Sequence, residues 1–163
     1  MGDYVPRVID ALLASALLPV RFRMKIMRYL GFKMAEGSCV WSGASFRSNR
    51  VMMGSDVFIN VGFFYDGCDT LRIGKNVRIG QFVRAITGTH NIGPSHQRCL
   101  VEAICKPVEI QDGCWIGTGA IILPGVTIAR GCVIAAGAIV TKSTEPNGLY
   151  AGNPARFVRM LAD

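Results

Sequence analysis

The sequence predicts an all-β solenoid, short strands coiling around a narrow core, and three observations predict it. Between residues 104 and 144 an aliphatic residue stands at every sixth position: Ile104, Ile110, Ile116, Ile122, Ile128, Ile134 and Val140. Glycine keeps the same period at Gly113, Gly119, Gly125, Gly131 and Gly137, each followed by a small or short residue, Cys114, Ala120, Val126, Cys132 and Ala138. A helix is excluded, because six residues advance it by roughly 600° and would scatter the aliphatic positions over three faces.

A strand satisfies the same spacing. Positions one and five of each unit share parity and point to the same side of an extended segment, while glycine at position four permits a sharp corner. Among repeat architectures this pattern is that of the hexapeptide β-helix.

The first 36 residues stand apart from the repeats. Residues 11–20 form an apolar run of ten, too short to span a bilayer, and lead into Arg21, Arg23, Lys25 and Arg28 among Phe22, Met24, Ile26, Met27, Tyr29 and Leu30. Asp3 and Asp10 with only Arg7 make a poor signal leader, and the basic cluster follows the apolar run where cleavage would fall. Pro6 occupies the position that a Met-Gly myristoylation signal gives to Ser or Thr. An amphipathic helical segment is therefore expected, capping the end of the solenoid. A second role for residues 7–30 is peripheral contact with an anionic membrane at the inner, cytoplasmic face.

Residues 37–149 are expected to form the coil. Units begin at Val51 and Val57, then at Ile73, Ile79 and Ala85, and seven more follow residue 103. At three units per turn this makes about four coils. The period fails between Phe63 and Arg72, and again over residues 91–103, where Gly93, Pro94, Ser95, His96 and Arg98 predict a protruding loop. Loops interrupting a solenoid usually lie on its working face. Residues 150–163 are expected to cap the far end.

Composition narrows the function classes. Half of the 163 residues are hydrophobic, which suits one domain whose thin core gains further burial by self-association. No Cys-x-x-Cys pair occurs, and Cys114 and Cys132 fall on inward positions, so the six cysteines are expected to be reduced core residues in a reducing compartment. The net charge of +7 comes with no nucleic-acid-binding motif and few interleaved aromatics, so no nucleic acid partner is expected. Lys142, Arg156 and Arg159 near the end of the array suit a small polyanionic ligand better.

His90 is the candidate for chemistry. It closes the segment 86–92, where the last regular unit gives way to the loop, which places it at an edge and not in the stacked core. An imidazole titrating near neutrality is the usual group to take a proton from a hydroxyl. With only His90 and His96 present, a three-histidine metal site is not available, and no metal is expected.

The hexads, together with Thr-Gly-Thr-His-Asn at 87–91, Trp-Ile-Gly at 115–117, Val-Thr-Lys at 140–142 and Ala-Gly-Asn-Pro-Ala-Arg at 151–156, resemble the left-handed β-helix acetyltransferases. The resemblance spans about residues 51–160, and it is strongest toward maltose and galactoside O-acetyltransferases and polysaccharide-modifying O-acetyltransferases. It implies a left-handed parallel β-helix and a homotrimer with sites between subunits. It also implies acetyl-CoA as co-substrate and direct attack by an acceptor hydroxyl, with His90 as general base.

The resemblance further implies that Asn60 and Trp115 contact the acceptor, and that Thr118, Ala136, Thr141, Lys142, Arg156 and Arg159 contact the coenzyme. Sugar-specific relatives carry an acidic acceptor contact where this chain reads Asp66-Gly-Cys-Asp69, so Asp66 and Asp69 are the candidates for it. The basic, apolar N-terminal segment is similar to that of transferases acting on capsule, exopolysaccharide or lipopolysaccharide precursor sugars. The group orienting His90 is open among Glu102, Asp66, Asp69 and a backbone carbonyl. An amino-sugar N-acetyltransferase and a purely structural solenoid are the alternatives.

Overall fold

The computed structural model describes residues 4–162; the Met-Gly start, with Asp3, and the final residue lie outside them. The chain is a left-handed parallel β-helix of about six turns, preceded by two short helices. Two- and three-residue strands stack into three sheets. The first sheet runs through Lys33–Met34, Val51–Met53, Leu71–Ile73, Val108–Ile110 and Thr127–Ile128. The second runs through Cys39–Val40, Phe58–Ile59, Arg78–Ile79, Trp115–Ile116, Val133–Ile134 and Gly148–Ala151; the third through Ser45–Phe46, Phe64–Tyr65, Arg84–Ala85, Ile121–Ile122 and Ile139–Val140.

The turn count exceeds the four predicted, because the coil starts at Lys33. The strands from Lys33 to Phe46 pair in register with the next turn, although Lys33-Met34, Cys39-Val40 and Ser45-Phe46 show no aliphatic hexad. Parallel pairing asks only that each strand turn one side inward, so Phe46 and Val40 serve as well as Ile.

The inward positions are those the hexad predicted, except Ile104, which lies half-buried on the antiparallel strand Cys99–Cys105 outside the coil. Ile79, Ile116 and Ile134 stack in the second sheet, and Ala85, Ile122 and Val140 in the third, all buried. Cys114 and Cys132 are buried in the same column as Val57 and Val77, reduced and inward. The first coils fill their core with aromatics: Phe46 packs on Phe32, Phe63 and Tyr65 at centroid separations of 5.6, 5.5 and 6.4 Å.

Corner glycines carry the positive φ that the sharp turns need, from +67° to +80° at Gly113, Gly119, Gly125, Gly131 and Gly137. Among the described residues Asp56, Asn76, Phe82 and Asn147 carry a positive φ without being glycine; Phe82, at φ 57°, is the bulkiest, and its ring lies over Gly62, where an added Cβ would come within 2.4 Å of it. A bulky residue in the left-handed region stores strain, and Phe82 remains 60% exposed.

The helices α1 (Arg7–Ala14) and α2 (Val20–Tyr29) close the open end of the coil. Leu13, Met24 and Met27 are buried against the first turn. Asp10 accepts from the Phe46 amide (2.8 Å) and the Ser45 hydroxyl (2.7 Å), partnering an edge that has no preceding coil. Arg23, read from sequence as part of a basic cluster, turns inward and is only 1% exposed. Its guanidinium donates to the carbonyls of Leu13 (2.6 Å), Ser15 (2.7 Å), Leu18 (2.9 Å) and Val40 (3.0 Å). It thereby satisfies carbonyls left over at the end of α1 and in the first coil.

Candidate active site

The predicted loop is a two-stranded antiparallel hairpin, Gly88–Ile92 paired with Cys99–Cys105, that leaves the coil after the third sheet. It forms because Thr87 is the last residue to fit the inward pattern, fully buried, and the strand then continues outward without a corner residue. His90 is exposed on it, opposite Ala103. Its Nδ1 lies 3.2 Å from the Glu102 carbonyl oxygen. A carbonyl can only accept, so this bond puts the proton on Nδ1 and leaves the Nε2 lone pair free. Of the orienting groups left open by the sequence, the structure supplies the backbone carbonyl of Glu102.

Asp66 and Asp69 lie at the root of this hairpin, not at its tip. Asp66 accepts from the amides of Thr87 (3.0 Å) and Gly88 (2.9 Å) and from the Thr87 hydroxyl. The Asp69 amide donates to the Thr87 hydroxyl oxygen (2.9 Å), and its carboxylate accepts from the Thr70 amide (2.6 Å). Arg50 holds the same loop through the carbonyls of Gly67 and Cys68 at 2.8 and 3.0 Å. A disulfide joins Cys68 to Cys105, their Cα atoms 5.4 Å apart.

That disulfide corrects the expectation that all six cysteines are reduced. Cys68 lies inside the first break in the hexad and Cys105 just past the second, and a one-dimensional pattern carries no sign that the breaks meet in space. The pairing also removes the cysteines as grounds for a reducing compartment.

The second group of predicted residues meets on the second sheet. Asn60, Trp115, Thr118 and Ala136 line a groove of about 460 Å³ together with Phe58, Arg78 and Gln81. The side-chain oxygen of Asn60 accepts from the Val61 amide at 2.8 Å, a corner bond. Trp115 follows inward Cys114 and is 59% exposed, as the alternation requires. Thr118 donates to Gln81 Oε1 at 2.7 Å. Phe58, Arg78 and Gln81 were missed in the sequence, although Phe58 and Arg78 share the hexad position of Trp115, each just before an inward Ile.

Thr141 and Lys142 are exposed just past the third sheet. Arg156 and Arg159 lie on Arg156–Met160, which folds back antiparallel on Gly148–Ala151, opposite Ala151 and Leu149. Gly152, with φ +97°, makes that return, and the Ala155 amide donates to the Ile139 carbonyl at 2.8 Å. His90 is on no wall of the groove, so within one chain the base and the groove are not brought together. A wider depression of about 590 Å³ crosses the first sheet past Met52, Arg72, Glu109 and Arg130, and holds none of the predicted residues. Among the described residues no group of His, Cys, Asp or Glu side chains converges as a metal site.

Known proteins share this architecture. The family profile "bacterial transferase hexapeptide (six repeats)" matches residues 107–142. A hexapeptide-repeat acetyltransferase from Vibrio cholerae, solved with acetyl coenzyme A, is 32% identical and superimposes with a TM-score of 0.82, covering 93% of this chain and 82% of that one. The chain belongs to the hexapeptide-repeat acetyltransferases. A galactoside acetyltransferase in complex with coenzyme A is 28% identical with a TM-score of 0.87, covering 96% of this chain and 79% of that one. The galactoside O-acetyltransferase of Escherichia coli is 36% identical over 121 residues, 73% of this chain and 58% of that protein. The chain spans little more than half the length of the curated relatives it matches.

Proposed function

We propose that this chain is an acetyl-CoA-dependent O-acetyltransferase acting on a saccharide hydroxyl, a precursor sugar of a cell-surface polysaccharide or lipopolysaccharide being the favoured acceptor. The observation that carries this reading is the exposed His90, its Nδ1 proton committed to the Glu102 carbonyl and its Nε2 free to accept. Nε2 takes the proton of the acceptor hydroxyl as the oxygen attacks the thioester carbonyl. The carbon–sulfur bond then breaks, and the proton held on Nε2 passes to the departing thiolate.

A sugar hydroxyl is a poor nucleophile near neutral pH, and a positioned base contributes about 10²- to 10⁴-fold. Asn60 and Trp115 would contact the acceptor, Thr118 and Ala136 would hold the pantetheine arm of the coenzyme, with Thr141 beside it, and Lys142, Arg156 and Arg159 would bind its phosphates. Because His90 does not line the chain's own groove, the complete site is proposed between neighbouring copies of a homotrimer, the hairpin of one copy reaching the groove of the next.

Outward residues of the N-terminal helices and of the turn between them support a place at the inner membrane surface. Val8, Leu12, Leu17, Phe22 and Tyr29 are exposed beside Arg21, Lys25 and Arg28. No described helix is long and apolar enough to cross a membrane, so contact would be peripheral.

The test of the base is His90→Ala, which keeps the fold and the oligomer and lowers acetyl transfer by at least about 10²-fold. Near-normal turnover would sink the assignment.

A further inference from the structure

The groove of the second sheet contains a cation that the reaction above does not use. Arg78 pairs through its Cα with Phe58 on one side and Trp115 on the other, so its side chain leaves the coil between two outward aromatic residues. All three line the same groove, with Asn60 and Gln81 at its corner. Phe58 is itself braced edge-on by Trp41, ring centroids 5.9 Å apart, which gives the apolar wall a fixed shape.

The guanidinium is only partly engaged. Among the described residues its Nη1 donates to the backbone carbonyls of Asp56 and Val77, and the other guanidinium nitrogens make no hydrogen bond. Those bonds tether one nitrogen, and a guanidinium presents five donors in a rigid fork, so the Nε and Nη2 edge remains open for a planar anion. No carboxylate neutralises it: the one ion pair among the described residues joins Arg47 to Asp10. Asp66 and Asp69, the acids expected to meet the acceptor, are turned into the hairpin root. The groove therefore offers the acceptor a positive charge with flanking apolar rings, and no negative one.

We propose that the acceptor is an anionic saccharide, whose carboxylate or phosphate ester is bound by the Nε and Nη2 edge of Arg78 while its ring rests against Trp115 and Phe58. A neutral sugar would cover the Nε and Nη2 edge without giving it a charged partner, and a bidentate anion satisfies both donors at once. The inference rests on the O-acetyltransferase reading for its chemistry, but the binding it asserts stands independently of turnover.

The experiment compares glucose, glucuronate and glucose 6-phosphate as acceptors for the full chain, with thiol release from acetyl-CoA as one readout and quenching of tryptophan fluorescence as the other. The two charged sugars separate carboxylate from phosphate as the preferred group. Wild type is expected to favour at least one of them over glucose by about 10-fold or more in kcat/KM, and Arg78→Gln to erase that preference while leaving the KM for acetyl-CoA in place.

Arg78 is exposed, so the variant should melt where wild type does, and a Trp115→Phe control assigns the quenching to the groove. Equal use of glucose overturns the proposal, as does a rise in the acetyl-CoA KM in Arg78→Gln, which would make the arginine a coenzyme contact. Arg78-dependent binding of a charged sugar without turnover would uphold the site and refute the transferase reading. Absence of both binding and turnover with the charged sugars would refute the site.

Discussion

Replacing Asp66 with alanine removes the carboxylate on which the His90 hairpin stands. Four donors lose their acceptor: the amides of Cys68, Thr87 and Gly88 and the Thr87 hydroxyl. Hydrogen bonds to a charged group contribute about 1.5–3 kcal/mol each, but they are not additive, and this site is half-buried and partly screened. A net loss of about 3 kcal/mol follows, equivalent to roughly 6–12 °C in melting temperature if the whole fold feels it.

The Cys68–Cys105 bond remains to hold the hairpin root, so much of the loss should appear as local opening. Deuterium exchange should accelerate across residues 88–105 and stay unchanged in the coil at residues 108–140. Turnover should fall because Nε2 of His90 is no longer held in place, with kcat affected more than the KM for acetyl-CoA. Asp66→Asn should show a smaller effect, since one oxygen still accepts while the new amide faces the donors. Unchanged exchange over residues 88–105, with Asp66→Ala turnover within about twofold of wild type, would refute the positioning role.

Two further outcomes follow from other parts of the fold. Burial pushes the Tyr65 hydroxyl from 10.0 up to about 12 and the Cys114 thiol from 9.0 up to about 12. The folded state thus keeps protons that the unfolded chain releases first, so their contribution is intact below about pH 9 and is lost as pH climbs toward 12. The melting temperature should therefore decline over that window, less steeply in Tyr65→Phe; a flat profile from pH 9 to 11 would contradict the burial argument. For the N-terminal helices, cosedimentation with phosphatidylserine-containing vesicles should exceed that with phosphatidylcholine vesicles and weaken in Leu17→Ser/Lys25→Glu, whereas equal recovery with both lipids would leave capping as their role.

How much of this was legible before the structure differs element by element. The inward columns through Ile116, Ile122 and Ile134 follow from a period of six, because one strand and one corner consume six residues whatever surrounds them. The first coil, Lys33 to Phe46, was not legible: its inward residues are set by pairing to the turn above, and aromatics fill an end where helices, not a further coil, complete the core. Arg23 read as solvated charge because nothing local marks the leftover carbonyls it satisfies.

The site divides in the same way. His90, Trp115 and the exposed positions after each inward Ile could be named from the phase of the repeat, since alternation along a strand is a local property. The partner of the His90 ring, the use of Asp66 and the Cys68–Cys105 bond could not, because they join segments whose separation in sequence carries no register.

By itself, then, the sequence determined a coil of hexads and the side from which each residue looks out. Only the tertiary structure decided that the two breaks in the period meet at the hairpin root, and that Arg78 stands uncompensated between Phe58 and Trp115. The physical reason is that stacking brings together residues a full turn or more apart, and the length of each turn depends on loops whose conformation the repeat does not specify.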